Sequence, residues 1–149
     1  MNFKEFHLEL SALLNHFQSL ALLFARLLIA YGFLQPALLK WSYFDATSIW
    51  FGEVGIPFAS LATFAVASFE VVGIVLLALG LFTRYISIPL MVIMMVAIFT
   101  VHLDNGFSTA NNGFEIPLYY LLFLSFFAVR GAGKFSLDNA LFRIRKGKE

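Results

Sequence analysis

One uninterrupted apolar segment decides the fold: residues 57–82, PFASLATFAVASFEVVGIVLLALGLF, in which Glu70 is the only charged side chain. A helix needs ~20 predominantly apolar residues to cross the hydrocarbon core of a bilayer, and this segment exceeds that length. Pro57 stands at its start, a position in which proline favours the first helical turn. The segment therefore predicts a membrane-spanning helix.

Three more segments of the chain have the same character. Residues 20–39 contain one charge, Arg26, and residues 85–103 contain none. The uncharged stretch 116–129 is shorter, but polar residues at its ends can lie at the headgroup boundary and extend it to 114–130. We therefore predict four spans in total, at about 20–39, 57–82, 85–103 and 114–130.

The composition of the whole chain agrees with a membrane protein. Its 149 residues are 60% hydrophobic and 13% charged, whereas soluble proteins average about 25% charged residues. A soluble enzyme, a disordered chain and a second domain are excluded, because four spans of ~20 residues use most of the length. A transmembrane β-barrel is excluded too, since its strands alternate apolar and polar residues. We predict one all-α domain over 1–149, a four-helix transmembrane bundle with up-down-up-down topology.

The segment before the first span, residues 1–19, has the pattern of an amphipathic helix. Its apolar residues recur at helical spacing and leave polar residues between them, the apolar set being Phe3, Phe6, Leu10, Leu13, Leu14 and Phe17. Such a helix either lies in the membrane interface or extends the first span.

The placement of the charges predicts the orientation. Residues 131–149 form a basic tail, with Lys134, Arg143, Arg145, Lys146 and Lys148 against two acidic residues. Basic residues favour the cytoplasmic side, and an even number of spans places both termini there. The loops 40–55 and 104–112 then face outward. Contact with anionic lipid is the alternative role for the tail.

Two charges, Arg26 and Glu70, lie well inside the predicted spans. Their opposite signs suggest a direct pair, but the estimated depths differ by ~9 Å at 1.5 Å rise per residue. In the alternative, Arg26 extends to the headgroups and Glu70 is protonated. The stripe of small residues at 59, 63, 67 and 73 predicts that Glu70 points into the bundle. A proton relay or a headgroup-binding site is the functional interpretation.

A second polar cluster is expected at the outer ends of the spans. Lys40 ends the first span, while His102 and Asp104 end the third, and Asn111, Asn112 and Glu115 precede or open the fourth. These groups could bind an anion, a quinone head or a peptide. Ordinary rim polarity is the alternative, with Asn112 and Glu115 in the spacing of a capping box.

Metal chemistry has weaker support. Met91, Met95 and His102 share a helical face, and thioether and imidazole ligands suit Cu(I), although methionine is also a common filler of apolar bundles. The chain has no cysteine, which removes Cys-ligated clusters and covalent c-type haem. We expect no haem, because His16 and His102 fall at opposite membrane faces. No nucleic-acid signature is present.

Several motifs in order resemble the DoxX family: GLFTRYISIPLM at 80–91, TVH at 100–102, NNGFE at 111–115 and GKFSLD at 133–138. Together with WFG at 50–52, the TVH motif is similar to the HvfX-type branch, which is associated with the maturation of copper-binding modified peptides. The loop 104–112 is shorter than in that branch. The resemblance implies a four-helix bacterial inner-membrane protein linked to quinone-reducing sulfur oxidation or terminal oxidases. It favours a functional role for Lys40, His102, Asn112 and Glu115, with Arg26 and Glu70.

Three functions are compatible with these features. The first is a redox-associated subunit that exchanges electrons with a quinone or assists a peptide-modifying partner. In this hypothesis Glu70 and His102 are the proton carriers. Arg26 and Glu115 are further candidate catalytic groups. The second is an assembly scaffold, and the third is a small transporter or solute-binding bundle, which would act as a homo-oligomer because four spans are few.

Overall fold

The computed structural model describes residues 2–146, apart from the side chains at 15, 16 and 142–146. This part of the chain is all-helical and contains no strand, as predicted. The α-helices are α1 (Phe3–Ser42), α2 (Phe44–Glu53), α3 (Ala59–Leu79), α4 (Thr83–Ala97), α5 (Glu115–Arg130) and α6 (Leu137–Lys146). A π-helical turn at Ile98–His102 continues α4, and 3-10 turns follow at Leu103–Asn105 and Thr109–Asn111.

Three helical segments of the described chain are long and apolar enough to cross a membrane: Phe3–Ser42, Ala59–Leu79 and Thr83–Asn105. They coincide with the first three predicted spans. α5 has 16 residues and is not among them. The predicted fourth span therefore stays a prediction. Large apolar side chains cover the outer surface of the long helices, among them Phe24, Leu28, Val75 and Ile88, as expected for a surface in contact with lipid.

No break separates the predicted amphipathic start from the first span. α1 runs through both as one helix of 40 residues, and Pro36 lies inside it. Two alternatives were given for residues 1–19. The structure agrees with the second, because the described part of this segment extends the first long helix. Apolar side chains of this segment, such as Phe3 and Leu13, are exposed in the isolated chain.

Two helices lie where loops or a tail were predicted. α2 occupies most of the predicted loop 40–55, and it is fastened to α3 by the Oγ atoms of Ser48 and Ser60, 2.8 Å apart. α6 begins inside the predicted basic tail, and Ser136 caps it by accepting a hydrogen bond from the Asn139 backbone N–H at 3.2 Å. The described part of the predicted basic tail 131–149 thus contains a helix. A serine N-cap is the local signal for a helix start.

The long helices pack mainly as two pairs, α1 with α3 and α4 with α5. Small residues of α3 allow its neighbours to approach closely. The α3 stripe is buried at Thr63, Ala67, Glu70 and Gly73, so that Glu70 points inward as its neighbours predicted. A Cβ at Gly73 would lie 2.8 Å from Leu90 Cδ1, which shows how closely α3 and α4 approach. The end of the molecule that carries α2 is called the α2 end. The opposite end, which carries α6, is called the α6 end.

Candidate functional site

A cavity of about 600 Å³ lies between the helix pairs, towards the α2 end. Most of its lining is apolar, contributed by Phe33, Phe51, Ala62, Val66, Val92, Ile93, Ala97 and Ile116, among others. A small group of polar side chains faces the same space: Lys40, Glu70, Thr100, His102, Asn112 and Tyr120. An apolar cavity of this size with a few convergent polar groups is the usual form of a small-molecule site.

A buried ion pair between Lys40 and Glu70 forms the charged part of the cavity wall. Lys40 Nζ donates to Oε1 and Oε2 of Glu70 at 3.0 and 2.9 Å, and it lies 3.4 Å from the Pro36 carbonyl oxygen. The Glu70 side chain is 3% exposed and that of Lys40 is 18% exposed. Among the described side chains this is the one ion pair. Its partial exposure leaves the ammonium group within reach of a ligand in the cavity.

Helix geometry explains why Glu70 pairs with Lys40 and not with Arg26. Arg26 bonds the carbonyl of Leu77, and Glu70 lies ~10 Å further along α3 from that point, about midway towards Lys40. Side chains lean towards the N-terminus of their own helix. In the antiparallel α1 and α3, Lys40 and Glu70 therefore lean towards each other, whereas Arg26 and Glu70 lean apart. The direct Arg26–Glu70 pair, one of the two alternatives that the sequence left open, is not formed.

Arg26 lies at the α6 end and outside the cavity. Its side chain is fully buried. The guanidinium donates to the carbonyl oxygens of Leu77, at 3.1 Å, and Phe135. A Cβ at Gly80 would meet Arg26 Nη1, so the glycine makes room for this contact. Arg26 thus connects the segment after α5 to the end of α3, and its role is structural.

His102 lines the cavity, and a hydrogen bond to the backbone of the following loop fixes its ring. It ends the π-helical turn, a distortion that often accompanies functional sites. Its Nδ1 lies 2.7 Å from the Asn112 carbonyl oxygen. Because a carbonyl oxygen only accepts, Nδ1 must carry the proton of this bond. In the neutral ring, Nε2 then remains as an acceptor for a ligand hydroxyl.

Asn112 also lines the cavity, but its contribution to this network is its backbone. Its φ of 58° places it in the left-handed region, which asparagine tolerates better than most residues. This conformation turns the chain from the 3-10 helix Thr109–Asn111 towards α5. The Asn112 carbonyl oxygen also accepts from Asn105 Nδ2, at 3.3 Å. This bond joins the two ends of the loop, from which Thr109, Asn112 and Gly113 line the cavity.

Glu115 faces the loop and does not line the cavity. Its carboxylate accepts hydrogen bonds from the Thr109 N–H and hydroxyl, at 3.0 and 2.9 Å, and from the Tyr119 hydroxyl at 3.2 Å. The proposed capping box with Asn112 was wrong, since Phe114 is the N-cap residue of α5. Glu115 instead stabilises the 3-10 turn at Thr109. The structure thus separates it from Lys40, His102 and Asn112, with which it was grouped.

Tyr120 is a cavity residue that sequence reasoning missed. It is half-buried, its ring packs 5.3 Å from that of Phe33, and its hydroxyl approaches Gly32 so closely that a Cβ there would lie 1.8 Å away. The sequence signal was indirect and lay in α1, where Gly32 leaves the space that the Tyr120 hydroxyl occupies. Pro36, four residues later in the same helix, removes the N–H that would bond the Gly32 carbonyl.

The methionine residues do not gather around His102. Met94 lines the cavity together with His102, whereas Met91 and Met95 do not line it. The π-helical turn changes the helical register between Met95 and His102, so the shared face inferred from α-helical spacing is not kept. No cluster of three His, Asp or Glu side chains that could hold a metal occurs in the described chain. The His16 side chain lies outside the described part.

Comparison with known proteins places the chain in a family. A family model with the description DoxX matches residues 21–103. A protein of Haemophilus influenzae is 30% identical over 132 residues, covering 83% of this chain and 85% of the relative. A second one from the same organism is 35% identical over 134 residues, covering 87% and 97%. Both are described as uncharacterized. No solved structure matches. The chain is a membrane protein and belongs to the DoxX family.

Proposed function

We propose that this protein is a redox-associated membrane subunit that binds a quinone-type ligand in the cavity between the two helix pairs. The observation that carries the proposal is the Lys40–Glu70 ion pair in the wall of an otherwise apolar cavity. Buried charge is costly, and at membrane depth it marks sites for polar ligands or protons. A quinone matches both properties, since its tail is apolar and its two carbonyl oxygens accept hydrogen bonds.

The polar groups of the cavity match the two states of such a ligand. The Lys40 ammonium donates to a quinone oxygen, and the neutral His102 ring accepts from a quinol hydroxyl through Nε2. Reduction of a quinone to a quinol takes up two electrons and two protons. In the proposal, Glu70, Lys40 and His102 conduct the protons. The electrons come from a partner protein that carries a flavin or metal centre, because a chain without cysteine holds no Cys-ligated cluster.

We propose further that the protein lies in the bacterial inner membrane with both termini in the cytoplasm. In this arrangement α5 is the fourth span, Arg130 and the basic segment after it lie on the cytoplasmic side, and the four long helices form the up-down-up-down bundle. The cavity then opens near the outer surface, where His102 and the loop over it lie. The first turns of α1 extend the first span towards the cytoplasmic side, with their exposed apolar side chains in contact with the membrane interface.

The partners implied are a sulfur-oxidising or peptide-modifying protein that supplies the electrons, and a second copy of this chain if the unit is an oligomer. Transport or storage of a small solute is the second candidate function, because the same cavity could hold a solute instead of a quinone. The two differ in ligand preference: a quinone site needs a hydrophobic ligand with hydrogen-bond acceptors, and a solute site binds polar molecules without a tail.

The test is a titration of the purified protein with a short-chain ubiquinone. Glu70→Gln is expected to weaken binding about tenfold or more, because it releases the Lys40 ammonium group that donates to the quinone, and a charged hydrogen bond is worth ~1.5–3 kcal/mol. Glu9→Gln makes the same chemical change at an exposed residue outside the cavity and serves as the matched control, for which we expect the affinity of the unaltered protein. Equal affinities in all three proteins, or the absence of saturable binding, would contradict the proposal.

A further inference from the structure

A second concavity, of about 500 Å³, lies at the α6 end and has a different chemistry from the central cavity. We call it the arginine groove, since Arg84 and Arg130 line it together with Gly131, Gly133, Ser136 and Asp138. It lies where α4 begins and α5 ends. The groove is independent of the Lys40–Glu70 site, which lies towards the other end of the helices.

The local fold builds this groove from a turn that brings backbone and arginine together. Gly131 has a φ of +77°, and a Cβ at this position would lie 3.0 Å from Arg84 Nε. The glycine therefore lets the guanidinium of Arg84 lie against the chain just after α5. A cation is favourable there, because the C-terminal end of a helix carries partial negative charge.

The other polar side chains of the groove are committed to the fold. Asp138 accepts hydrogen bonds from the N–H groups of Phe82 and Thr83, at 2.8 and 3.2 Å, and so caps the start of α4. Ser136 donates to the Gly133 carbonyl oxygen at 2.6 Å. The guanidinium groups, which only donate and which carry positive charge, remain for a ligand, as does the hydroxyl of Tyr85.

Neither arginine has a carboxylate partner among the described side chains. The one ion pair of this part of the chain is Lys40–Glu70, and the contact made by Arg130 is with the ring of Phe126, at 5.9 Å. The groove contains two guanidinium groups and one carboxylate, that of Asp138. Both oxygens of this carboxylate already accept hydrogen bonds from backbone N–H groups. Planar guanidinium groups match the oxygens of a phosphate group, to which they can donate in pairs.

We propose that the arginine groove binds a phosphate-bearing anion. Phe82 and Tyr85, both exposed, flank Arg84 at the start of α4. Aromatic and basic side chains at the end of an apolar helix are typical of the membrane–water interface. The phosphodiester of an anionic lipid headgroup and free inorganic phosphate share the required chemistry, and the experiment distinguishes these sources.

The test compares lipid retention in native mass spectrometry after reconstitution in phosphatidylcholine with and without phosphatidylglycerol. Arg84→Gln and Arg130→Gln are each expected to weaken phosphatidylglycerol binding about tenfold, the size expected for a charged hydrogen bond. Lys134→Gln, an exposed cation that does not line the groove, is the matched control. It should lose at most about fivefold, the contribution of a general attraction to an anionic surface.

Competition with millimolar inorganic phosphate separates the two sources. Retention of phosphatidylglycerol that phosphate leaves unchanged assigns the groove to a lipid headgroup. Displacement by phosphate, abolished in the arginine variants, assigns it to a soluble anion. Equal losses in Lys134→Gln and the arginine variants, or binding of neither probe, would overturn the proposal. Should Arg84→Gln fail to fold, Arg130→Gln alone gives the same readout, because this side chain lies at the exposed end of α5.

Discussion

The two buried charges of α1 have opposite environments. Arg26, at the α6 end, is fully enclosed and donates to backbone carbonyl oxygens that hold two chain segments together. Lys40, at the α2 end, pairs with the carboxylate of Glu70 and retains an exposed fraction of 18% in a cavity wall. Both charges are expensive in an apolar protein, yet only the second is placed where a ligand can meet it.

The difference shows that depth in a span does not by itself identify a functional residue. A buried cation whose hydrogen bonds all end on backbone atoms stabilises the chain that supplies those atoms. A buried ion pair beside an open volume keeps a charged donor within reach of a ligand, and its carboxylate holds that donor in place. The two roles are distinguished by the kind of hydrogen-bond partner and by the presence of an open volume beside the side chain. Variants at both ends of α1 test this distinction.

The largest effect is expected at Arg26. Arg26→Ala removes the donors that connect α1 to Leu77 and Phe135, and it leaves a cavity in a fully buried position. We expect a loss of about 3 kcal/mol or more in the free energy of unfolding. Thermal unfolding in detergent measures it. Arg130→Ala, at an exposed arginine over the Phe126 ring, is the control and should lose no more than ~1 kcal/mol. Equal stability of Arg26→Ala and the unaltered protein would contradict a structural role.

The next effect concerns the glycine that makes room for Arg26. Gly80 has a φ of +66°, and an added Cβ would lie 1.9 Å from Arg26 Nη1. Gly80→Ala is expected to destabilise the protein by about 2 kcal/mol, the sum of backbone strain and a displaced side chain. Gly55→Ala has comparable strain at φ +85° but no atom within 4 Å, so it isolates the backbone contribution of ~1 kcal/mol. If both variants lose the same stability in thermal unfolding, the close contact with Arg26 is not significant.

A smaller effect, on binding, is expected at Gly32. An added Cβ would lie 1.8 Å from the Tyr120 hydroxyl, so Gly32→Ala must displace a ring that lines the cavity. Alanine also favours a helix over glycine by ~1 kcal/mol, which offsets part of the cost to stability. We expect quinone affinity to fall about tenfold. Gly52→Ala, where the nearest atom to the added Cβ is 3.8 Å away, should bind as the unaltered protein does. Normal binding by Gly32→Ala would argue against this cavity as the site.

The smallest effect is the coupling within the ion pair. Lys40→Met, Glu70→Gln and the double variant form a cycle for which we expect a coupling free energy of ~1 kcal/mol, reduced from that of a fully buried pair by the exposure of Lys40. The matching cycle for Arg26 and Glu70 should be additive within ~0.5 kcal/mol, since these residues share no partner. Chemical unfolding measures both. A coupling in the second cycle that equals the first would restore the pair that the structure excludes.

Much of the fold could be predicted, because the information lies in local pattern. Apolar runs locate α3 and the segment from α4 to His102, and the small residues around Glu70 show which face is buried. α2 and α6 were missed for two reasons. α2 is short and lies in the segment 40–55, which was predicted to be an outward-facing loop. The basic charges of the last segment outweighed the Ser136 cap that begins α6.

The site was harder to predict, because it depends on the relative positions of helices. Lys40, Glu70, His102 and Asn112 were all candidates, but Lys40 and Glu70 were assigned to separate clusters. Lys40 was placed at the rim, and its reach back along α1 to Glu70 follows from the lean of two antiparallel helices. Tyr120 had no sequence signal of its own, since its role arises from the contact with Gly32 across the bundle.

The most direct test of the central claim is photolabelling of the purified protein with an azido-quinone, followed by mass-spectrometric mapping of the modified peptides. The account predicts labelling in the cavity-lining parts of α1 and α4, between Gly32 and Lys40 and between Val92 and His102, with protection by excess unlabelled quinone and loss of labelling in Glu70→Gln. Label spread over the lipid-facing residues, without protection and with the same pattern in Glu70→Gln, would contradict it.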